Sequence, residues 1–365
     1  MKTTFLVLAN NSDGLYGFRK ELLTALARYG SVNVAVPDNG WFNELESIGC
    51  CIYETPVDRR GMNPLADLKL MYKYFRLIRS IEPDLVITYT IKPNIYGGIV
   101  SRILGKKYAV NITGLGTTFQ KQGLLRTFVK GLYKTALKNA YKVFFENAGN
   151  MQNLVEEGIV STDQCCLLNG AGVNLEHYMY AEYPTDSIVR FLFMGRIMEE
   201  KGVNELFSAM KRLRQEGLDC VLDVLGHYEE DYADQIRQYE AEGWLFYHGY
   251  QKDVRPFIEK CHCFVLPSWH EGMANTNLEC AAMGRPIITS RIHGCMEAVL
   301  EGESGLLCDP QNYDGLYETM KQFLSFERNK KRSMGITGRR HMEAAFDKDK
   351  VVKETLEALR DKAMA

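Results

Sequence analysis

Short, near-continuous apolar runs recur through the first half of the chain: TTFLVLAN, SVNVAVP, CCIYETP, DLVITYT, KYAVNITG and YKVFFEN. Between them lie helix-length segments with apolar positions at helical spacing, such as GFRKELLTALARYG and PLADLKLMYKYFRLIRSIE. Strands that are apolar on both faces, alternating with amphipathic helices, predict a parallel sheet covered on both sides. After QCCLLNGAGVNLEHY the alternation lapses into the polar, proline-containing AEYPTDSIV. It then restarts with RFLFMGR, CVLDVLGH, LFYHGY, HCFVLPS and PIITS. The pattern predicts an α/β protein of two Rossmann-like domains in tandem, residues 1–170 and 188–345, joined by a linker over 171–187. The last segment, 346–365, ends in KDKVVKETLEALRDKAMA, a helix with no strand after it that is expected to pack back on the first domain.

A length of 365 residues exceeds the size at which one core usually stops growing, which agrees with two domains. No apolar run approaches the roughly 20 residues that span a bilayer. The apolar stretch in MKTTFLVLANNSDG is short for a signal peptide and lacks a small-residue cleavage site, so a cytoplasmic location is expected. Ten cysteines raise the question of metal or disulfides, but none forms a C-x-x-C pair and several fall within strand-like runs. They read as reduced thiols acting as small hydrophobes. In Cys261-His262-Cys263, strand alternation points the histidine away from both sulfurs, which argues against a metal site. Residues 1–170 carry a net charge of +6 and the remainder −8, so the first half is the one suited to an anionic surface.

In open parallel sheets ligands bind at the carboxyl ends of the strands. Five polar loops follow predicted strands there: NNSDGLYGFR, TIKPN at 90–94, TGLGTTF at 113–119, GRIMEEKG at 195–202 and HEGMANTNLE at 270–279. GRIMEEKG brings Arg196 and Lys201 to a helix start, an arrangement suited to a diphosphate, although a solvated basic pair beside Glu199 and Glu200 would look the same. In HEGMANTNLE, Gly272 permits close backbone approach and a helix is expected to begin near Asn275. Helix capping and the macrodipole, worth about 0.3–1 kcal/mol, account for Glu271 or Asn275 but leave Glu279 over. A carboxylate is acceptor-only and suits the hydroxyls of a sugar or ribose, each such bond being worth roughly 1.5–3 kcal/mol. Together the loops suggest a sugar nucleotide.

The run of GRIMEEKG, GYQKDV, CFVLPSWHEGMANTNLECAAMGRPIITS and HGCMEAVLEGESGLLCDP over 195–310 resembles the nucleotide-binding half of glycosyltransferase family 4, within the GT-B superfold. The central segment carries that family's Glu-x7-Glu motif. YTIKPNIYGG and NITGLGTTF resemble its bacterial exopolysaccharide, capsule and glycoprotein-glycan branch, which acts on lipid-linked acceptors. The resemblance implies two Rossmann-like domains facing each other across a cleft, and retaining transfer without a bound metal. It implies that Arg196 and Lys201 hold the donor diphosphate, that Glu271 contacts the donor sugar, and that Glu279 binds the ribose. It also implies that Gly272, Met273, Ala274, Asn275 and Thr276 approach the sugar and β-phosphate, with Gly14 closing over the phosphate. Glu271, Arg196 and Lys201 are thereby the catalytic candidates. Acceptor-side candidates are Asp13, Tyr16, Arg19, Lys92, Asn94, Thr113 and Gly114. No Asp-x-Asp sits at a strand end, since Asp347-Lys348-Asp349 opens the last helix; basic groups and a helix dipole would take the metal's place beside the leaving diphosphate. One departure concerns Thr113-Gly114, where many family members carry His-Gly. Asp13 is then a candidate acceptor base, with loop capping as its alternative.

Residues 119–143 contain Lys121, Arg126, Lys130, Lys134, Lys138 and Lys142 and no acid. Like charges spaced four apart cost roughly 0.2–0.5 kcal/mol per pair, so the stripe calls for a further reason. With Leu124, Leu125, Phe128, Leu132 and Tyr133 it reads as a basic amphipathic helix at an anionic membrane, with Arg126, Lys130, Lys134 and Lys138 facing it. A plain surface helix is the alternative; nucleic acid is disfavoured because the loops carry no base-reading or stacking pattern. The expected function is transfer of a hexose or N-acetylhexosamine from a UDP-sugar to a growing glycan or a polyprenyl-diphosphate-linked saccharide, peripherally at the inner membrane face. A UDP-sugar 2-epimerase and a non-catalytic assembly subunit are the rival readings.

Overall fold

The computed structural model describes residues 2–58, 63–116 and 123–360. It divides into two compact units, Met1–Gly172 with Lys348–Ala365, and Val173–Asp347.

The first unit is built on β1 (Thr3–Leu8), β2 (Gly30–Val36), β3 (Cys50–Glu54), β4 (Leu85–Tyr89), β5 (Tyr108–Ile112), β6 (Lys142–Phe145) and β7 (Cys165–Leu167). All pairings are parallel, in the order β3-β2-β1-β4-β5-β6-β7. Strands β4 and β5 are buried along their whole length, as strands covered on both faces must be. One cover contains α3 (Pro64–Ile81), α4 (Gly98–Ile103), α5 (Leu124–Leu137) and α6 (Ala148–Glu156). The other contains α1 (Ser12–Ala27), α2 (Phe42–Ser47) and the chain's last helix, Lys348–Leu359, whose Val351, Thr355 and Leu359 are buried at helical spacing. Asn11, Asn63 and Asn147 cap α1, α3 and α6 with their side chains, fixing where each leaves the sheet edge.

The second unit carries β8 (Val189–Met194), β9 (Cys220–Leu225), β10 (Leu245–Tyr247), β11 (Cys263–Leu266), β12 (Ile287–Ser290) and β13 (Gly305–Cys308) in the order β10-β9-β8-β11-β12-β13. Its helices are α7 (Val203–Gln215), α8 (Ala233–Ala241), α9 (Arg255–Lys260), α10 (Asn275–Ala282), α11 (Tyr313–Ser325) and α12 (Arg328–His341). The last helix of the chain becomes α13. The short edge strands β7 and β13 were not in the pattern read from the sequence. Three or four residues, one of them glycine in β13, give too brief an apolar run.

In both sheets the first strand has neighbours on either side, so strand order reverses there: between β1 and β4 in one, between β8 and β11 in the other. Loops leaving the carboxyl ends of those strands splay apart and open a crevice. Near it, Gly226 (φ +142°) lets the chain after β9 touch the chain after β8, since a Cβ at that position would lie 1.8 Å from the Gly195 carbonyl oxygen.

Residues 173–187, read from the sequence as the end of a linker, run along the second unit. Arg285, fully buried, donates to the Ile258, Ala181 and Glu182 carbonyls, each at 2.9 Å. Arg339 donates to the Tyr178 and Ala282 carbonyls at 2.8 and 3.0 Å, and the Tyr183 hydroxyl to that of His262 at 3.0 Å. Guanidinium groups suit this task because their donors fan out in a plane and can satisfy several carbonyls at once.

Candidate active site

The loop after β8 passes through Arg196 and a 3-10 turn, Glu199–Lys201, before Gly202 starts α7. The loop after β11, residues 267–274, leads into α10. These two loops are joined by their backbones. Gly202 (φ +72°) sits so close beneath Pro267 that a Cβ would lie 2.1 Å from its carbonyl oxygen. The Glu200 carbonyl accepts from the Trp269 N–H at 3.0 Å and the Ser268 hydroxyl at 3.2 Å. The Trp269 indole N–H donates to the buried Glu205 carboxylate at 2.9 Å. A third strand end closes the far side: Gly294 (φ +90°) lies against the Glu271 and Gly272 carbonyls, and its own carbonyl accepts the Ala274 N–H at 2.7 Å.

This framework brings Lys201 and Glu271 together. The ammonium donates to the carboxylate, and both side chains are largely buried. His270 lies beside Glu200 at 3.3 Å in the same loop pair. Cys295 is buried beneath, and burial followed by the Glu271 charge pushes its thiol well above the usual range. Gly272, Met273 and Ala274 are buried, while Asn275 and Thr276 are half-buried. Asn275 is the first residue of α10 rather than its cap. Ala274 holds the cap position without a side-chain hydrogen bond, and the buried Asn275 side-chain oxygen has no hydrogen-bond partner among the described residues.

Arg196 and Glu279 belong to the same strand ends but not to that ion pair. Arg196 is 45% exposed and faces Glu229 at 3.6 Å, so its guanidinium is accessible to a ligand. Glu279, one turn inside α10, accepts from the Tyr178 hydroxyl. Burial and that carboxylate hold the Tyr178 phenol far above its ordinary pKa. Tyr178 lies in the stretch read as a linker, and no periodicity pointed to it. Also missed were His227 and Tyr250, stacked at 4.6 Å and exposed beside the Arg196 loop, where the Ile197 N–H donates to the His227 carbonyl at 2.8 Å. His262 is committed elsewhere. Its Nδ1 accepts the Arg190 N–H at 3.1 Å and its Nε2 meets the Asp186 carbonyl at 3.3 Å. Among the described residues no three His, Cys, Asp or Glu side chains gather to hold a metal ion.

In the first unit the sequence-derived acceptor candidates part company. Arg19 is buried, donates to the buried Glu146, and lies 5.1 Å from the centre of the Tyr89 ring. Burial pushes the Glu146 carboxyl up, against the pull of Arg19 and Lys348. Asn94 is also interior. It accepts from the Thr88 hydroxyl at 2.7 Å and donates to the Asn111 carbonyl at 2.8 Å. Both side chains are thus engaged with partners inside the first unit. Lys92 pairs with Asp67 at 2.7 Å, largely buried. Gly14 lies within the first turn of α1, with its N–H donated to the Asn11 side chain at 3.2 Å. Asp13 occupies the same turn, where the helix dipole favours a carboxylate. Tyr16 packs on Trp41 at 5.5 Å. Thr113 and Gly114 are half-buried at the end of β5, while 117–119 of that loop lie outside the described residues.

The basic stripe is divided. Arg126 and Lys130 turn inward to one carboxylate, Glu157 at the end of α6, at 2.9 and 2.5 Å. The acid that the helix lacks in sequence is supplied from another element. Lys134 and Lys138 are exposed, as is Phe128, and Lys121 lies outside the described residues.

Two parallel sheets, each with strand order reversing at its first strand, are the architecture of the GT-B superfold. The family model for glycosyl transferases group 1 matches residues 185–341, and that for glycosyl transferase 4-like domains matches residues 6–147. The chain belongs to this family of glycosyltransferases. It is 26% identical to the N,N'-diacetylbacillosaminyl-diphospho-undecaprenol alpha-1,3-N-acetylgalactosaminyltransferase of Campylobacter jejuni, over 88% of this chain and 89% of that one. A second Campylobacter jejuni enzyme, N-acetylgalactosamine-N,N'-diacetylbacillosaminyl-diphospho-undecaprenol 4-alpha-N-acetylgalactosaminyltransferase, is 24% identical over 85% and 86%. Among solved structures, Anabaena HepE in complex with UDP-glucose superposes with a TM-score of 0.81 at 17% identity, over 98% of this chain and 99% of that one, a likeness of fold.

Because Arg19 and Glu146 neutralise each other in the interior, removing one strands the other. Arg19→Met or Glu146→Met alone is expected to cost about 3–5 kcal/mol of stability, while the double variant recovers most of it. Urea unfolding of the three variants measures this; single losses that simply add would refute the coupling.

Proposed function

We propose that this glycosyltransferase moves a hexose or N-acetylhexosamine from a nucleoside diphosphate, UDP in particular, to a saccharide carried on a polyprenyl diphosphate. The observation that carries this reading is the Lys201–Glu271 pair at the switch point of the second unit. One ligand bearing both phosphate and hydroxyl groups can engage both charges: the ammonium takes a diphosphate oxygen and the carboxylate accepts from sugar hydroxyls. Arg196, accessible beside them, is a second cation for the leaving diphosphate. Glu279, oriented by Tyr178, is placed for a ribose, and the exposed His227–Tyr250 stack offers a flat face to a nucleobase. HepE binds UDP-glucose on the same fold, and both Campylobacter jejuni relatives are named for transfer to diphospho-undecaprenol-linked saccharides, which supports the donor and acceptor classes.

Transfer with retention needs no enzyme nucleophile in this setting. The acceptor hydroxyl approaches the anomeric carbon on the face the diphosphate leaves. The bond to the phosphate oxygen breaks as the new glycosidic bond forms, and the acceptor's proton passes to the departing phosphate. Lys201 and Arg196 stabilise the charge that develops there, as fixed cations at a leaving group do.

The enzyme works, in this reading, at an anionic membrane face. No described helix is long and apolar enough to cross a membrane, so contact would be peripheral. Support comes from α3 more than from the divided stripe of α5. Leu65, Leu68 and Tyr72 on α3 are 70%, 60% and 64% exposed, and Lys69, Arg76 and Arg79 share their face. At 3.6 residues per turn all six fall within about 100° of arc. Apolar and aromatic side chains interleaved with cations, and no acid among them, suit anionic headgroups over acyl chains.

Three outcomes are expected. Glu271→Ala and Arg196→Ala should each lower turnover on the order of 10²–10³ fold in a UDP-sugar transfer assay; near-wild-type rates would take them out of the site. The same assay run in EDTA should proceed unimpaired, and a loss restored by Mg²⁺ would count against metal-free stabilisation of the diphosphate. Charge reversal at Lys69, Arg76 and Arg79 should weaken sedimentation with vesicles containing about one-third phosphatidylglycerol by a hundredfold or so. Unchanged sedimentation would remove the membrane reading.

A further inference from the structure

Thr90, the first residue after β4, has φ +72°. Two other described non-glycine residues share a positive φ: Glu82, the left-handed cap of α3, and Gln311, in the turn before α11. Only Thr90 is β-branched, and a β-branched side chain in that region crowds its own backbone. Such strain persists only where the surroundings impose it, and it gathers at functional sites.

The surroundings do impose it. The Thr90 carbonyl accepts the Asn94 N–H at 2.9 Å. The Asn94 side chain is held between the Thr88 hydroxyl and the Asn111 carbonyl, and the Asn111 side chain donates to the Thr88 carbonyl at 3.2 Å. A π-helical turn, Pro93–Gly97, follows at once. Turns of that kind are rare and occur often at functional sites. The chain thus passes from a central strand through one left-handed residue directly into a helical segment. The same strand–elbow–helix course presents a side chain at the top of the sheet in other α/β enzymes.

The location adds a second argument. Leu8 on β1 is opposite Thr88, and Asn111 on β5 is opposite Tyr89. Thr90 therefore lies at the carboxyl edge between the loops that follow β1 and β5, within the crevice where strand order reverses. Its side chain is half-buried, and its hydroxyl proton is donated to the Tyr89 carbonyl. A threonine hydroxyl carries one donor and two lone pairs, so its match is a group that can also donate. A saccharide hydroxyl is one.

We propose that Thr90 is an acceptor-binding residue: the elbow after β4 holds its hydroxyl oxygen in the crevice of the first unit, where it accepts a hydrogen bond from a hydroxyl of the acceptor saccharide. The assignment rests on the transferase reading above and adds a group that positions the incoming sugar. It also explains why Asn94, buried behind Thr90, occupies this loop: it maintains the elbow.

Three substitutions separate the hydroxyl from the strain. Thr90→Val keeps the shape and removes the hydroxyl. It should lower kcat/KM roughly three- to tenfold for a synthetic undecaprenyl-diphosphate-linked N-acetylhexosamine, with hydrolysis of the UDP-sugar by water unchanged. Thr90→Ser should restore transfer. Thr90→Gly should lose transfer as Val does while the melting temperature rises by about 2–4 °C, because glycine adopts the left-handed region without crowding. Wild-type transfer by Thr90→Val, or transfer and hydrolysis falling together, would overturn the assignment. A lower melting temperature for Thr90→Gly would overturn the strain on which it is built. A wild-type chain that neither transfers nor hydrolyses the sugar overturns the transferase reading and this assignment with it, so the two failures are told apart.

Discussion

Two backbone approaches set the geometry of the second unit's site. Gly202 lies under the Pro267 carbonyl and Gly294 against the carbonyls of Glu271 and Gly272, each closer than any side chain would allow. Loops that meet backbone to backbone have little freedom to slide, and the charged side chains they carry inherit that rigidity. Lys201 and Glu271 belong to different strand–helix connections, 70 residues apart in sequence, and are brought into contact by this docking. The Trp269–Glu205 bond ties the framework to α7, so the pair is supported from the helix as well as from the loop. Preorganisation of this kind matters for a reaction whose barrier is charge on a departing diphosphate.

Much of this was legible in the sequence, and for physical reasons. Buried parallel strands are apolar on both faces and announce themselves as runs such as FVLP and LVITY; the alternation with helices then leaves few topologies open. Polar loops at the strand ends stand out against those runs, which is why Arg196, Lys201, Glu271 and Glu279 were accessible to a reading of residues alone. What residue type alone does not show is which partners a side chain finds within the protein. Asn94 accepts from the Thr88 hydroxyl and donates to the Asn111 carbonyl, and Arg19 pairs with Glu146, partners that residue type does not announce. Asn275 reads as a helix cap and stands one residue too late to be one. Distinguishing these cases requires knowing which side of the strand end each side chain leaves from. A shift of a single residue decides that.

The basic run of α5 shows a related limit. Repulsion between like charges one turn apart is a cost that calls for an offsetting anion. Glu157 offsets part of it from the neighbouring helix, meeting both Arg126 and Lys130. Local bookkeeping of charge along a helix is incomplete whenever another element packs alongside, and in a layer of parallel helices it nearly always does. The exposed face of α3 gave no comparable signal, because its cations and leucines are spread among buried positions of the same helix.

The first unit is made from both ends of the chain. Residues 348–360 return to its sheet, where Val351 and Leu359 join the core on the α1 side and Lys348 donates to the Phe18 carbonyl at 3.1 Å. The whole second unit is inserted between. During synthesis, then, all seven strands of the sheet emerge long before its last covering helix exists. At typical translation rates the gap is on the order of ten to thirty seconds. Throughout that interval the surface that α13 will cover is open to solvent, and the inserted unit, a continuous stretch of chain, can fold to completion first. The order of maturation is therefore the reverse of the order of emergence: the half that begins first finishes last.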